Sequence, residues 1–206
     1  MGLTDTIKSN PVLKKIVHWM IIPSNDFRPR WWIRNILNRF IHHRGKKSKV
    51  RMSARMDILP FNKFYLGKSS IIESRSTINN GVGDVYIGDN SLIGIGCVVI
   101  GPVKIGNNVL LAQNIVLSGL NHGYENVEMS IRDHKTTSEL IEIGDDSWIG
   151  ANAVIVAGVT MGKHSIVAAG SVVTKDVDDF TIVAGTPAKP IKRYNFETEK
   201  WERIRN

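Results

Sequence analysis

The chain has 206 residues, of which 42% are hydrophobic, and a formal net charge of +8. This length suits one main domain with an extension, and the lack of an uninterrupted apolar run of about 18 residues argues against a membrane-spanning helix. The charge is uneven: residues 1–55 hold 13 Lys and Arg against 2 acidic residues, while the remainder holds 14 basic and 17 acidic residues. The basic character therefore belongs to the N-terminal extension.

The expected compartment is the cytoplasm. Cys97 is the single cysteine, so no intramolecular disulfide can form and a reducing environment is favoured. The first apolar patch, residues 16–22, is short, contains His18 and lacks a small-residue cleavage site. No secretory signal is therefore predicted, and we expect a cytoplasmic protein that lies at the inner face of the membrane if its basic extension binds lipid.

Two helices are predicted in the extension, over residues 1–22 and residues 29–43. Apolar residues approximate helical spacing in both, and Pro23 would end the first. The extension is expected either to cap the apolar end of the following domain or to lie on anionic membrane lipid through its tryptophans and basic residues. Nucleic acid is not expected as a partner, since no recognisable nucleic-acid module accompanies the charge.

An aliphatic residue recurs at every sixth position along most of the remaining chain. Period six fits neither an α-helix nor an alternating strand. It fits a solenoid in which three six-residue segments make one triangular coil and coils stack with their aliphatic residues inward. An ordinary sandwich of short strands would instead show alternation with turns every 8–12 residues. The two unbroken runs are Ile87, Ile93, Val99, Ile105, Leu111 and Leu117, followed by Ile143, Ile149, Ile155, Met161, Val167 and Val173.

The period is interrupted by residues 120–140, which are polar and carry no six-residue pattern. We interpret this segment as a loop extruded from one corner of the solenoid, and a long loop in a regular repeat usually carries function. The predicted organisation is a basic helical extension at 1–55, a solenoid domain at 56–193 and a C-terminal tail or short helix at 194–206. The predicted fold class is thus an all-β solenoid with an N-terminal helical extension.

Four segments resemble the hexapeptide-repeat acyltransferases, which fold as left-handed parallel β-helices. The resemblance covers roughly residues 60–193. Within the family, the chain is similar in particular to sugar O-acetyltransferases of the galactoside, maltose and nodulation-factor type and to enzymes that acetylate bacterial surface polysaccharides. The segments are NHGYENV at 121–127, IGDDSWIGANAVIVAGVTMG at 143–162, AAGSVVTKDV at 168–177 and VAGTPAKPIK at 183–192.

The resemblance implies acetyl transfer from acetyl-CoA to a sugar hydroxyl of a surface glycan, with His122 as catalytic base. Imidazole is well suited to take up a hydroxyl proton near neutral pH, and a histidine at this point of the loop is catalytic in the galactoside branch. No G-x-S-x-G nucleophile motif occurs, so we expect direct attack of the sugar hydroxyl on the thioester.

The resemblance also implies the residues that bind the donor. Trp148 matches the aromatic residue beside the pantetheine arm, and small residues leave the groove open. The predicted donor-binding residues are Trp148, Ala151, Ala169, Thr174, Lys175 and Lys192. Weaker candidates for contact with the acceptor are Asn79, Asn80, Asn114, Asn121 and Glu125.

Alternatives remain open at the level of the sequence. The same fold performs N-acetylation of amino-sugar nucleotides, and some members are non-enzymatic scaffolds or resemble γ-carbonic anhydrases. No metal site is predicted, since no close His, Cys, Asp and Glu cluster has ligand spacing. Family members are usually homotrimers with active sites between subunits, so the expected partners are a sugar or glycan acceptor, two further copies of the chain and, through residues 1–55, an anionic membrane.

Overall fold

The computed structural model describes residues 10–26 and 28–204. Helix α1, Pro11–Ile21, begins where Asn10 caps it: the Asn10 Oδ1 accepts hydrogen bonds from Val12 N at 3.0 Å and Leu13 N at 3.2 Å. An Asn cap followed by Pro is a favourable helix start. The part of the predicted first helix at residues 1–9 lies outside the described residues.

A second helical segment follows and packs on the solenoid. It comprises a π-helical stretch, Ile33–Leu37, and helix α2, Asn38–Ile41, a shorter range than the predicted 29–43. Ile33 is fully buried, and the Asn38 Nδ2 donates a hydrogen bond to the Ile58 carbonyl at 2.8 Å. No helix within residues 10–26 and 28–204 has the length and hydropathy needed to cross a bilayer.

The rest of the described chain winds into six triangular coils, whose sides form three parallel sheets. Sheet I contains β1 (His43–Arg44), β4 (Phe64–Leu66), β7 (Val85–Ile87), β10 (Val103–Ile105), β15 (Ile141–Ile143) and β18 (Thr160–Met161). Sheet II contains β2 (Lys49–Val50), β5 (Ile71–Ile72), β8 (Leu92–Ile93), β11 (Leu110–Leu111), β16 (Trp148–Ile149), β19 (Ile166–Val167) and β21 (Thr181–Gly185). Sheet III contains β3 (Arg55–Asp57), β6 (Thr77–Asn79), β9 (Val98–Ile100), β12 (Val116–Ser118), β17 (Val154–Val156) and β20 (Val172–Val173).

The six-residue period places the aliphatic side chains in the interior. Ile87, Ile105, Ile143 and Met161 are register partners on successive strands of sheet I, and all four are buried. Each apolar side chain therefore lies above and below another, which builds a continuous core along the axis. The predicted left-handed parallel β-helix is confirmed.

The solenoid begins earlier than the sequence predicts. Strands β1, β2 and β3 pair in parallel with β4, β5 and β6, so a complete coil lies within residues 43–57, and the predicted boundary at residue 56 is corrected to 43. Val50 and Met56 keep the six-residue spacing, but Arg44 occupies the register position of Leu66. This charged residue at the open end of the stack concealed the first coil.

The C-terminal segment is a hairpin, and the predicted terminal helix is wrong. Strand β22 (Ala188–Asn195) pairs antiparallel with β21, and β23 (Lys200–Arg203) pairs antiparallel with β22. The Asn195 Oδ1 accepts hydrogen bonds from Glu197 N and Thr198 N, which forms the turn. Tyr194 packs edge-on against Phe196 and Trp201, and these aromatic contacts favour the strand pair over a helix.

Candidate functional site

An antiparallel hairpin leaves the solenoid between its fourth and fifth coils, where the sequence predicts an extruded loop at residues 120–140. Strand β13 (Leu120–His122) pairs with β14 (Thr136–Ser138), and a 3₁₀ turn, Ile131–Asp133, lies between them. The hairpin starts after a strand of sheet III and returns to a strand of sheet I. It therefore projects from the corner between these sheets, called here the III–I corner.

His122 is the last residue of β13 and is exposed opposite Thr136. Among the described residues, no group forms a hydrogen bond with its imidazole. Asn121 precedes it on the same strand, opposite Thr137, and is also exposed. The hairpin thus presents an imidazole and a neighbouring amide to solvent, where a substrate hydroxyl can reach them.

The second histidine of the hairpin has a structural environment. The His134 side chain is only 7% exposed. Its Nε2 lies 3.0 Å from the Asn126 carbonyl oxygen, and its Nδ1 lies 3.9 Å from Glu125 Oε2. Hydrogen bonds from the backbone N–H groups of Glu125 and Tyr124 hold the pKa of the Glu125 carboxyl below its usual value, and His134 lowers it further. Glu125 therefore braces the loop beside His134.

The predicted donor-binding residues fall on three separate surfaces. Trp148 is outward on sheet II and 48% exposed, and Lys192 lies on the same sheet as the register partner of Ile182. Thr174 and Lys175 follow β20 and are exposed at the III–I corner. In a triangular cross-section the III–I corner lies opposite sheet II, so one chain places Thr174 and Lys175 away from Trp148.

The small residues stack at another corner, between sheets II and III. Ala151 and Ala169 lie one coil apart, and Gly170 N donates a hydrogen bond to the Ala151 carbonyl at 2.8 Å. Asn114 belongs to the same corner, where it adopts a φ of 55°. Asn tolerates this left-handed conformation better than most residues, which gives Asn114 a role in the turn.

Two predicted acceptor contacts have structural partners. Asn80 is fully buried; its Oδ1 accepts from Leu59 N at 2.6 Å, and its Nδ2 donates to the Asn62 carbonyl at 2.7 Å. Because no substrate can reach it, the predicted contact by Asn80 is corrected to a structural role. The Asn79 Oδ1 accepts from Gly81 N at 2.6 Å and closes the turn.

A cavity of about 420 Å³ lies beside the base of the hairpin and was missed by the sequence reasoning. The Asp84 Oδ1 accepts from Lys63 N at 2.7 Å, and its Oδ2 accepts from the Tyr86 hydroxyl at 3.3 Å. Partial burial and the Asp84 carboxylate raise the pKa of Tyr86. No sequence motif marks this cavity, because its lining residues come from separate coils and are far apart in the sequence. They are Asn62, Asp84, Tyr86, Pro102, Lys104 and Leu140.

Other chemistries find little support in this region. Cys97 is fully buried, and burial raises the pKa of its thiol, which disfavours a thiolate nucleophile. Within residues 10–26 and 28–204, no three His, Cys, Asp or Glu side chains cluster closely enough to hold a metal ion.

Comparison with known proteins agrees with this architecture. The chain matches the family described as bacterial transferase hexapeptide (six repeats) over residues 84–118 and 141–175. It is 36% identical over 115 residues to the galactoside O-acetyltransferase of Escherichia coli K12, covering 54% of this chain and 55% of that protein. It is 31% identical over 134 residues to WbbJ of the same organism, named as a lipopolysaccharide biosynthesis O-acetyl transferase, covering 60% of this chain and 67% of that protein.

A solved structure shares the fold. The N-acyltransferase AntD from Bacillus cereus superposes with a TM-score of 0.66 at 19% identity, covering 79% of this chain and 89% of AntD. The chain spans about half the length of the galactoside O-acetyltransferase.

Proposed function

Because the chain belongs to the hexapeptide-repeat family of bacterial transferases, we propose that it is an acetyl-CoA-dependent O-acetyltransferase acting on a sugar hydroxyl of a bacterial surface glycan. The observation that carries the proposal is the hairpin at the III–I corner, which presents exposed His122 beside Asn121. Two relatives are named as O-acetyltransferases of a galactoside and of lipopolysaccharide, which supports the hydroxyl as acceptor.

The proposed chemistry is direct acyl transfer. The sugar oxygen attacks the thioester carbonyl carbon while His122 takes the hydroxyl proton. The tetrahedral intermediate then collapses: the carbon–sulfur bond breaks, and His122 returns the proton to the departing sulfur. Acetyl leaves CoA as the sugar ester, and no metal or oxidant is needed to balance the step.

The donor would contact residues of two kinds. Trp148 offers a flat apolar surface for the pantetheine arm, and Ala151 and Ala169 leave the backbone of the II–III corner accessible. Lys175 and Lys192 can neutralise the phosphates of CoA, with Thr174 beside Lys175. These positions fit a long, thin donor with an anionic end. Their assignment rests on the family resemblance and on the exposure of Trp148, Thr174 and Lys175.

The separation of these residues supports a homotrimer with sites shared between subunits. Within one chain, His122 projects from the III–I corner, whereas Trp148 lies on sheet II, the opposite side of the prism. A threefold rotation can bring the III–I corner of one subunit to sheet II of the next. Sheet II also carries an outward apolar row that a neighbour would cover: Ile71, Leu92, Leu110, Trp148, Ile166 and Ile182.

The acceptor would lie beside the base of the hairpin. The cavity there offers the Asp84 carboxylate and the Tyr86 hydroxyl, groups that accept and donate hydrogen bonds to sugar hydroxyls. Lys104 lines the same cavity and pairs with Glu142 at 3.3 Å. A ring seated against Tyr86 would gain apolar contact as well.

The decisive test is thiol release from acetyl-CoA by purified protein with a panel of sugars, amino-sugar nucleotides and lipid-linked glycans. We expect acceptor-dependent release with a hydroxyl acceptor, and a fall in kcat of about 10²–10⁴-fold for His122→Ala. His164→Ala is the matched control, since His164 is exposed at a distant corner, and it should keep wild-type activity.

Each outcome of this assay has a distinct meaning. Transfer to an amine and not to a hydroxyl would replace O-acetylation by N-acetylation of an amino sugar. Equal loss of activity in His122→Ala and His164→Ala would remove His122 from the chemistry. A protein that neither binds acetyl-CoA nor releases thiol with any acceptor would be a scaffold and would refute the proposal.

A further inference from the structure

Helix α1 presents its apolar side to solvent and not to the solenoid. Val12, Ile16 and Trp19 recur at helical spacing and are 64%, 48% and 62% exposed, and exposed Met20 continues the same side. Ile21 is the one buried residue of α1. A contiguous apolar surface left uncovered in this way marks an interaction site, so α1 is not the cap of the first coil.

The second helical segment combines the two roles that the sequence left open for the extension, because one side contacts the solenoid and the other is exposed. Ile33 is fully buried, and Asn38 donates a hydrogen bond to the Ile58 carbonyl of the solenoid. Trp31, just before this segment, and Phe40 are 65% and 83% exposed. Arg30 joins this segment to α1, because its Nε donates to the Trp19 carbonyl at 2.9 Å and its guanidinium lies 4.9 Å from the Trp19 ring centroid. We call the exposed apolar side chains of both elements the N-terminal patch: Val12, Leu13, Ile16, Trp19, Met20, Trp31, Trp32, Ile36, Phe40 and Ile41.

The N-terminal patch belongs to a strongly basic part of the chain. Residues 10–50 contain ten Lys and Arg and one acidic residue, Asp26. Asp26 lies 3.7 Å from Arg28 and 3.9 Å from Arg55. No carboxylate of residues 10–26 or 28–204 lies within 4.0 Å of the other nine cationic side chains in this range. The cations are thus available to an external anion.

We propose that the N-terminal patch docks on an anionic lipid bilayer. Tryptophans and aliphatic side chains enter the boundary between head groups and acyl chains, while Lys and Arg contact lipid phosphates. A bilayer satisfies both kinds of side chain at once. Nucleic acid would satisfy the charges but leave the aliphatic side of α1 in water, and a complementary protein would need an acidic apolar groove.

The threefold assembly, which rests on the proposed function, would strengthen this docking. Rotation about one axis leaves the height of every atom along that axis unchanged, so three copies of the patch lie at the same height. All three can therefore meet one flat membrane. Binding of the first patch raises the effective concentration of the other two, so weak individual contacts add to a stable attachment.

Docking also restricts the acceptor, again if the proposed function holds. The hairpin leaves the fourth coil, three coil steps from the coil nearest the patch. Neighbouring strands lie about 4.8 Å apart, so the hairpin emerges roughly 14 Å along the solenoid axis from the first coil. A glycan linked to a membrane lipid could present sugars at this height, which makes a lipid-linked glycan the acceptor class that we infer.

The test is flotation of the full-length protein with vesicles of phosphatidylcholine alone or with about one third phosphatidylglycerol. We expect at least about tenfold more bound protein with the anionic vesicles and a loss of binding at high salt. The double variants Ile16→Ser/Trp19→Ser and Lys14→Glu/Lys15→Glu should each lower binding about tenfold or more. The matched control is Ile204→Ser/Lys200→Glu, exposed at the opposite end of the solenoid, which should bind like wild type.

Three results would overturn the proposal. The first is that the wild-type protein does not float with anionic vesicles, and the second is that it binds neutral and anionic vesicles equally. The third is that both patch variants bind anionic vesicles as well as the wild type does. If both patch variants still bind vesicles and the wild-type protein forms assemblies of more than three subunits, the patch would be assigned to contacts between copies of the chain.

Docking and catalysis fail separately. The Ile16→Ser/Trp19→Ser variant is predicted to release thiol at the wild-type rate with a water-soluble acceptor and to be slower only with a lipid-linked acceptor in vesicles. Vesicle binding without thiol release would refute the proposed acetyltransferase activity and support membrane docking. Thiol release without vesicle binding would support the activity and refute the docking.

Discussion

The coils and the hairpin of this protein are held in place by different forces. In the coils, each inward aliphatic residue packs between equivalent residues above and below, as Ile105 does between Ile87 and Ile143. In the hairpin nearly every side chain is exposed, and His134 is held by polar contacts to Asn126 and Glu125. Repeated burial thus supplies stability, and the weakly packed insertion is free to carry chemistry.

The largest expected effect is on the free energy of unfolding, and a matched pair of side-chain truncations compares the core with the hairpin. Leu117 is fully buried in the last strand before the hairpin, and Val127 within it is 93% exposed. Leu117→Ala should lower the free energy of unfolding by about 2–5 kcal/mol through lost burial and a residual cavity. Val127→Ala should change it by less than about 0.5 kcal/mol. Thermal or denaturant unfolding measures both.

A large loss of stability in Val127→Ala would contradict the comparison, since it would mean that the hairpin contributes to the cooperative core. Circular dichroism before melting should remain unchanged in both variants. A changed spectrum for Leu117→Ala alone would indicate that the stack had broken at this coil.

The second prediction concerns how closely the coils approach each other. A Cβ added to Gly94 would lie 2.0 Å from the Ala112 carbonyl oxygen of the next coil, whereas one added to Gly170 would meet nothing within 4 Å. Gly94→Ala should therefore cost about 3 kcal/mol, because backbone must move apart. Gly170→Ala should cost about 1 kcal/mol, arising from its φ of 70°. An equal decrease in the free energy of unfolding for the two variants would show that small backbone shifts accommodate the added methyl group at Gly94.

The fold was largely readable from the sequence because one interaction repeats. The six-residue spacing identified the buried residues of the regular coils, and its interruption located the hairpin. It failed where the interaction changes: Arg44 replaces an aliphatic residue in the first coil, and the C-terminal hairpin depends on contacts between Tyr194 and Trp201. Neither feature has a period that a sequence pattern could reveal.

The site was less predictable because its geometry depends on contacts distant in sequence. The sequence could not tell that Asn80 is buried against Leu59 and Asn62, or that Glu125 lies beside His134. It also missed Asp84 and Tyr86, which face a cavity only after separate coils stack. The role proposed for His122 came from resemblance, and the structure adds that this side chain is exposed on a projecting hairpin.

A small effect on stability is expected for His134, and it sharpens the difference between the two regions. His134→Gln weakens the contacts with Asn126 and Glu125. Local order in the hairpin should fall, seen as faster amide hydrogen exchange at residues 120–138, while the free energy of unfolding changes by less than about 1 kcal/mol. Because His122 is positioned by the same hairpin, kcat should fall roughly tenfold. KM for acetyl-CoA should stay near the wild-type value, since the predicted donor residues lie outside the hairpin. A higher KM with unchanged kcat would place His134 at the donor instead, and unchanged exchange would mean that strand pairing alone orders the hairpin.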